Sequence, residues 1–219
     1  MKILMLSRIM NAHMNGGMQY HTQVLAEGLV KRGHDVTVWT TSHPDKIKEE
    51  VNGVKIWYLP ETKQGSYFNG YWEKVKEDLK TDQDFDIIHS QSTAGLSVIN
   101  SGIPMVTTFH GTALDEVKTK INLMTLDDPI SFLKMPVSIL RDIWGHLKYA
   151  VPIANNSDAL IAISNEQEEI YNNIYNCRGS LSHNSKNKIK RIYKVFTGTD
   201  EKFLRPISHN SENKIKHQN

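Results

Sequence analysis

An α/β domain built on a parallel sheet flanked by helices is the fold class this chain predicts, and three observations lead there. Short apolar runs recur along the 219 residues with helical or loop material between them, the alternation that gathers strands into one parallel layer with helices on its faces. Most of those runs are rich in Val and Ile without clean polar alternation, as expected for strands covered on both sides. The first 40 residues combine both signals: Lys2–Leu6, then Asn15-Gly16-Gly17, then a helix-like segment closing on Arg32-Gly33-His34-Asp35 ahead of Val36-Thr37-Val38.

Taken in order, Lys2–Leu6 is an apolar run cut short by Ser7 and Arg8, too brief for the core of a signal peptide, and reads as a first buried strand. Gly17–Lys31 follows as an amphipathic helix, with Val24, Leu25, Gly28 and Leu29 on the side expected to pack on the sheet and Gln23, Glu27 and Lys31 on another. Gly28 lowers helix propensity by about 1 kcal/mol against alanine, which a close helix-to-strand approach or chance would equally account for. Asp35–Thr40 and Val54–Leu59 are the next strands, Gly70–Lys80 a helix, and Asp86–Ser90 and Pro104–Phe109 two further strands.

Pro136–Ala150 is the next expected helix. Its stripe of Leu140, Ile143, Trp144, Leu147 and Val151 reads as a core-facing side with Arg141 and Lys148 solvated, while a basic amphipathic helix of this kind can also lie on an anionic membrane. Ala159–Ile163 and Ile192–Phe196 are the last strands. Between them Asn165–Tyr175 is a helix that Ser164 caps, with Gln167 three residues on completing a box-like pattern. Glu49-Glu50 and Glu166-Gln167-Glu168-Glu169 read as solvated helix faces, and the Gly/Ser/Asn-rich stretch Arg178–Lys188 as a loop or linker.

The composition, 39% hydrophobic and 23% charged, is that of a chain able to bury a core. A formal net charge of +2 is too small to argue for nucleic acid, and no basic run interleaved with aromatics appears in the first 170 positions. The single cysteine, Cys177, excludes an intramolecular disulfide and points to a reducing, cytoplasmic compartment.

Chemistry concentrates at the first glycine turn. A strand, a glycine turn and a helix N-terminus place unpaired backbone N–H groups together at the positive end of the helix dipole, so Gly16 and Gly17 can receive a phosphate or leave room for a sugar hydroxyl. Valine at Gly17 would fill that space and resist a positive φ. Asn11, His13, Asn15, Gln19 and Tyr20 flank the turn within reach of a bound hydroxyl compound, and His34 reads as a surface-turn residue. The turn is Asn15-Gly16-Gly17-Met18 rather than G-x-G-x-x-G, and no acidic residue ends the second strand at Thr40-Thr41, which argues against a nicotinamide cofactor.

Six stretches in order carry a family resemblance: Gly16-Gly17 before a helix, Arg32-Gly33-His34-Asp35-Val36, Asp86-Ile87-Ile88-His89, Thr107-Thr108-Phe109-His110-Gly111, Asp158–Ser164, and Val195-Phe196-Thr197-Gly198-Thr199-Asp200. Over about residues 1–206 the chain resembles the N-terminal domain of a GT-B glycosyltransferase of the GT4 family, glycosyl transferases group 1. The resemblance implies a Rossmann-like, acceptor-side domain, one half of a GT-B fold. Its partner half holds a nucleotide-sugar, and the whole transfers sugar with retention to a hydroxyl of a glycan or a lipid-linked acceptor. It implies no metal and no cofactor, the nucleotide-sugar being the substrate.

Carried over by position, Gly16 and Gly17 match the turn beside the donor's phosphates and His110 the active-site histidine, while Asn15, Gln19, Tyr20 and His89 are acceptor-side candidates. A neutral imidazole at His110 could hydrogen-bond a sugar hydroxyl or share a proton. For His89 the alternative is a histidine packed at its strand end. The family often has a second histidine two residues beyond His89, where this chain has Gln91, and Thr197 stands where the family's last turn has asparagine.

Residues 207–219 read as a polar tail, and the family's acidic Glu-x7-Glu segment is not in this sequence. The expectation is therefore a half-site that needs a C-terminal donor domain or a partner chain, with the isolated chain inactive. A non-catalytic module that holds a glycan or a protein is the contrasting reading.

Overall fold

The computed structural model describes residues 1–82, 84–111, 117, 119–121, 129–174 and 191–195. Its strands are β1 (Lys2–Leu6), β2 (Asp35–Thr40), β3 (Lys48–Val51), β4 (Val54–Tyr58), β5 (Ile87–Gln91), β6 (Met105–Thr108), β7 (Ala159–Ala162) and β8 (Arg191–Lys194). They form one sheet in the order β3-β4-β2-β1-β5-β6-β7-β8, parallel except where β3 runs against β4. The helices are α1 (Gly17–Lys31), α2 (Tyr71–Thr81), α3 (Pro129–Gly145), α4 (Val151–Asn156) and α5 (Asn165–Ile174). The Rossmann-like α/β expectation holds. Cys177, the stretch Arg178–Lys188, the turn Thr197–Asp200 and the tail 207–219 lie outside the described residues.

Both faces of the sheet are covered, and consecutive residues of a strand serve opposite faces. Ile3 and Met5 of β1 join Val36, Val38, Ile56 and Ala26 of α1 in one cluster. Leu4 and Leu6 join Trp39, Ile88, Leu160 and the helix residues Tyr71, Val75, Ile153 and Tyr171 in the other. The handedness of parallel crossovers accounts for the division: β1 to β2 steps one way through α1, and β5 to β8 step the other way through helices on the opposite face.

Four local expectations are corrected. Residues Glu49 and Glu50 lie in β3, an antiparallel edge strand closed on β4 by Asn52 and Gly53, both at positive φ (53° and 81°), with Val51 opposite Val54. That is a two-residue hairpin of the type Asn-Gly favours. Helix α1 packs Leu25 and Leu29 on the sheet as expected, but it also buries Gln19, Thr22, Gln23 and Ala26 and leaves Val24 exposed, so the packed face is turned in part from the expected one. A Cβ on Gly28 would meet nothing within 4 Å, so no close approach requires that glycine.

The fourth correction concerns the helix expected to begin at Pro136. Pro136 lies inside α3. A π turn, His146–Ala150, joins α3 to α4, so that helical backbone runs from Pro129 to Asn156. Pro152, in the first turn of α4, has no N–H for the preceding carbonyls, and the wider turn just ahead of it accommodates the loss. The turn also breaks the 3.6-residue stripe: Val151 is buried, while Val137, Leu140, Trp144 and Leu147 are 69%, 66%, 55% and 50% exposed. They do not form a core-facing side. At 1.5 Å per residue the helical run is about 42 Å long, against about 17 Å for a five-residue strand.

On α5 the capping expectation holds. The N–H of Gln167 donates to Ser164 Oγ (3.2 Å), and Gln167 Oε1 accepts from the N–H of Ile163 (3.1 Å).

Candidate functional site

The strand order reverses between β1 and β5, since β1 leads to β2 on one side while β5 and β6 lie on the other. At such a switch point the loops leaving adjacent strands part to opposite faces and open a crevice at the carboxyl ends. Four positions singled out from sequence meet there: Gly16 and Gly17 after β1, His89 in β5 and His110 two residues beyond β6.

Gly16 is the N-cap of α1, with φ −176°, an extended conformation open to any residue, and the helix has no side-chain cap and no acidic residue in its first turn. The expected positive φ at Gly17 is not found. A Cβ on Gly17 would meet nothing within 4 Å, while one on Gly16 would run into Gln19 Oε1, the movable end of a side chain. The chain's own packing therefore leaves the space over Gly17 open. Asn15 and Tyr20 are exposed beside the turn, and Gln19 is buried against Gly16.

His89 is 7% exposed and its Nε2 lies 2.8 Å from Thr108 Oγ1, so it is packed at its strand end as well as next to the crevice. Registry explains the contact: Gln91 of β5 pairs with Thr108 of β6, placing the last residues of both strands around one point. His110 Nε2 lies 2.6 Å from Gln91 Oε1, and Gln91 Nε2 lies 3.5 Å from His89 Nε2. The ring of His21, one turn along α1 from Gly17, meets the His110 ring edge-on with centroids 5.0 Å apart. His21 Nδ1 is buried with no hydrogen-bond partner among the described residues.

Burial pushes the His89 and His110 imidazoles down to about 4, and the neighbouring His21 adds to both shifts. Burial lowers His21 as well. At neutral pH all three rings are uncharged. A ring that holds a proton so weakly is a poor base, which favours hydrogen bonding over proton sharing for His110.

Sequence reasoning missed His21 and undervalued Gln91. The available signal for His21 was its spacing, since a residue four after Gly17 shares the helix face that carries the glycine turn. His13, expected as a ligand contact, instead ties two loops: its Nδ1 accepts from the N–H of Met10 (3.1 Å) and its Nε2 lies 3.1 Å from the carbonyls of Thr41 and Ser42. Among the described residues no group of three His, Cys, Asp or Glu is placed to hold a metal ion.

Helix α3 and the π turn after it carry their own contacts. Lys120 pairs with Asp142 and donates to Ser138 Oγ (2.8 Å), covering one side of the helix. On another, Lys148 Nζ sits 4.4 Å from the Trp144 ring centroid. Tyr149 stacks on Trp72, which stacks on Tyr67, anchoring the π turn to α2. Among the described residues no helix is long and apolar enough to cross a membrane.

The model of Glycosyltransferase Family 4 matches residues 15–183. An uncharacterised 42.6 kDa protein encoded in the cps region of Klebsiella pneumoniae is 29% identical over 123 residues, covering 44% of this chain and 31% of that protein. The structure resembles sucrose-phosphate synthase of Thermosynechococcus elongatus, with TM-score 0.60 and 18% identity, over 92% of this chain and 49% of that one. It also resembles α,α-trehalose-6-phosphate synthase of Burkholderia multivorans (0.51, 10%, 93% and 50%) and a Medicago truncatula protein solved with UDP-glucose (0.51, 14%, 92% and 52%). The chain spans about a third of that curated relative and about half of each of those structures.

Proposed function

Because the chain belongs to Glycosyltransferase Family 4, we propose that it forms the acceptor-side half of a retaining glycosyltransferase, one that moves a sugar from a nucleotide-sugar to a hydroxyl of a glycan or lipid-linked acceptor. The observation that carries the reading is the meeting, at the β1/β5 reversal, of the α1 N-terminus, where a Cβ on Gly17 would meet nothing within 4 Å, with His110, whose ring contacts His21 of the same helix. A second Rossmann-like domain, on the same polypeptide or a partner chain, supplies the donor site and closes the crevice. In that closed state Gly16 and Gly17 let the donor's phosphates approach the uncapped N-terminus of α1. Asn15, Gln19, Tyr20 and His89 line the acceptor side, and no cofactor takes part.

His110 acts as a hydrogen-bonding group rather than as the base. Its hydrogen-bond partner, the side chain of Gln91, is a neutral amide, and burial keeps the ring neutral. The acceptor's proton then goes to the departing diphosphate, which sits on the face of the sugar that retention requires the acceptor to attack.

The exposed stripe of α3 and the π turn fits the surface of an anionic membrane on its cytoplasmic side. Leu140 and Trp144 of the helix and Leu147 of the turn supply the apolar contact, and Arg141 and Lys148 the positive flank. A lipid-linked acceptor would then be presented at the crevice from the membrane.

The test joins this chain to the donor domain of a family member and follows labelled sugar into glycan and lipid-linked acceptors. The His110→Ala variant is expected to lower turnover about 10²-fold with its circular dichroism unchanged. Turnover at the wild-type level would remove His110 from the reaction. Glycan binding without transfer in any pairing would leave the non-catalytic module instead.

A further inference from the structure

Gln91 occupies the point where His110 and His89 meet, and its amide is bipolar. One end can only accept hydrogen bonds and the other can only donate them. Oε1 lies 2.6 Å from His110 Nε2, so that nitrogen must carry the proton and donate it. The amide NH₂ then faces His89 Nε2 at 3.5 Å, and the hydroxyl of Thr108 lies 2.8 Å from the same nitrogen. Both neighbours can donate to it, so His89 Nε2 is the acceptor and its ring proton is on Nδ1. Thr108, His89, Gln91 and His110 thus form one row of hydrogen bonds with a consistent sense, in a site where each unmatched polar atom is costly.

The row has a fixed anchor. Gln91 is fully buried as the last residue of β5, its backbone carbonyl accepts from Tyr67 Oη (3.1 Å), and Thr108 is its partner in the sheet. The backbone that carries the amide is therefore held by two strands and an aromatic side chain, independent of any ligand.

From this geometry we infer that Gln91 is a positioning residue that holds His110 in the Nε2–H tautomer, leaving Nδ1 as the hydrogen-bond acceptor for a sugar hydroxyl. The inference rests on the reading of His110 as the imidazole beside the reacting sugar. It gives the departure from the usual histidine at position 91 a chemical consequence. A histidine there would titrate and could present either nitrogen, whereas an amide offers one acceptor and two donors at every pH. The partners shown for the His110 ring among the described residues are uncharged, the His21 ring edge-on and the Gln91 amide at Nε2, so neither draws it into the imidazolium form.

The test reads the ring and not the reaction, so its failure and that of the transferase reading can be told apart. Long-range proton–nitrogen spectra of the ¹⁵N-histidine-labelled chain, recorded from pH 5.5 to 8, are expected to show His110 as a single Nε2–H tautomer that does not titrate over the range. Gln91→Met, which removes the acceptor, should mix the two tautomers and speed exchange of the ring proton. Gln91→Glu keeps an acceptor but adds charge, so it should keep the Nε2–H tautomer and raise the ring's midpoint by about one unit or more. A proton found on Nδ1 of His110 in the wild-type chain would overturn the inference by showing the amide to be reversed, as would ring signals unmoved in both variants. The wild-type spectrum decides even if the methionine variant fails to fold.

Discussion

Acid should weaken this fold through His89 and His110 in a way that can be isolated from all other titrations. An exposed histidine in the unfolded chain titrates near 6.5, whereas burial holds both native rings at about 4. Between those values the unfolded chain takes up protons that the native one refuses, so stability is full above about pH 6.5 and falls as the pH drops toward 4. From pH 7 to pH 5 the folding constant falls by a factor of about 20 per ring, a log change of about 1.3, and at about 1.4 kcal/mol per tenfold each ring removes about 2 kcal/mol. Urea unfolding followed by tryptophan fluorescence at the two pH values measures it. The carboxylates also contribute, so the comparison is with the His89→Gln, His110→Gln double variant. The variant should start less stable at pH 7 and lose about 4 kcal/mol less on acidification. An equal pH dependence in both proteins would refute the reasoning, because it would mean that the rings are protonated in the native state or reached by water.

Other substitutions separate the chain's own packing from its ligand's. Gly17→Ala should change unfolding free energy by less than about 0.5 kcal/mol, since its Cβ meets nothing within 4 Å, and yet lower nucleotide-sugar use by the completed enzyme; a loss of stability at constant activity would show that the space is filled by the protein. Gly53→Ala should cost about 1–2 kcal/mol in urea unfolding, because φ is +81° and the new methyl would press on Val30 Cγ1. Leu140→Glu should reduce co-sedimentation with phosphatidylglycerol vesicles several-fold without shifting the melting temperature, Leu140 being 66% exposed; a drop in melting temperature would assign the stripe to packing within the fold.

The fold was legible because its determinants are local and periodic. Continuous apolar runs such as Lys2–Leu6 and Asp35–Thr40 show strands buried on both faces, and both fall on the observed β1 and β2. The Asn52-Gly53 pair carried a hairpin signal of equal quality, but β3 is a strand of charged residues at the sheet's edge, with no apolar run to mark it. Pro136 and Pro152 obscured the long helix, because a proline suggests a boundary unless neighbouring structure absorbs the missing hydrogen bond.

The sequence by itself determined the strand order of appearance, the glycine turn before α1 and the histidine after β6, since each is a property of a short stretch. Only the tertiary structure decided which of these residues share a site. His21 and Gln91 reach His110 from positions 89 and 19 residues earlier in the chain, and their meeting depends on the register of β5 with β6 and on the seat of α1 on the sheet. The charge state of the imidazoles was settled at the same level, because desolvation follows from what surrounds a ring and not from what precedes it. So was the outward face of α3: an apolar stripe looks the same in sequence whether it meets a core or water, and it is the π turn that turns Val151 inward while Leu140 and Trp144 stay exposed.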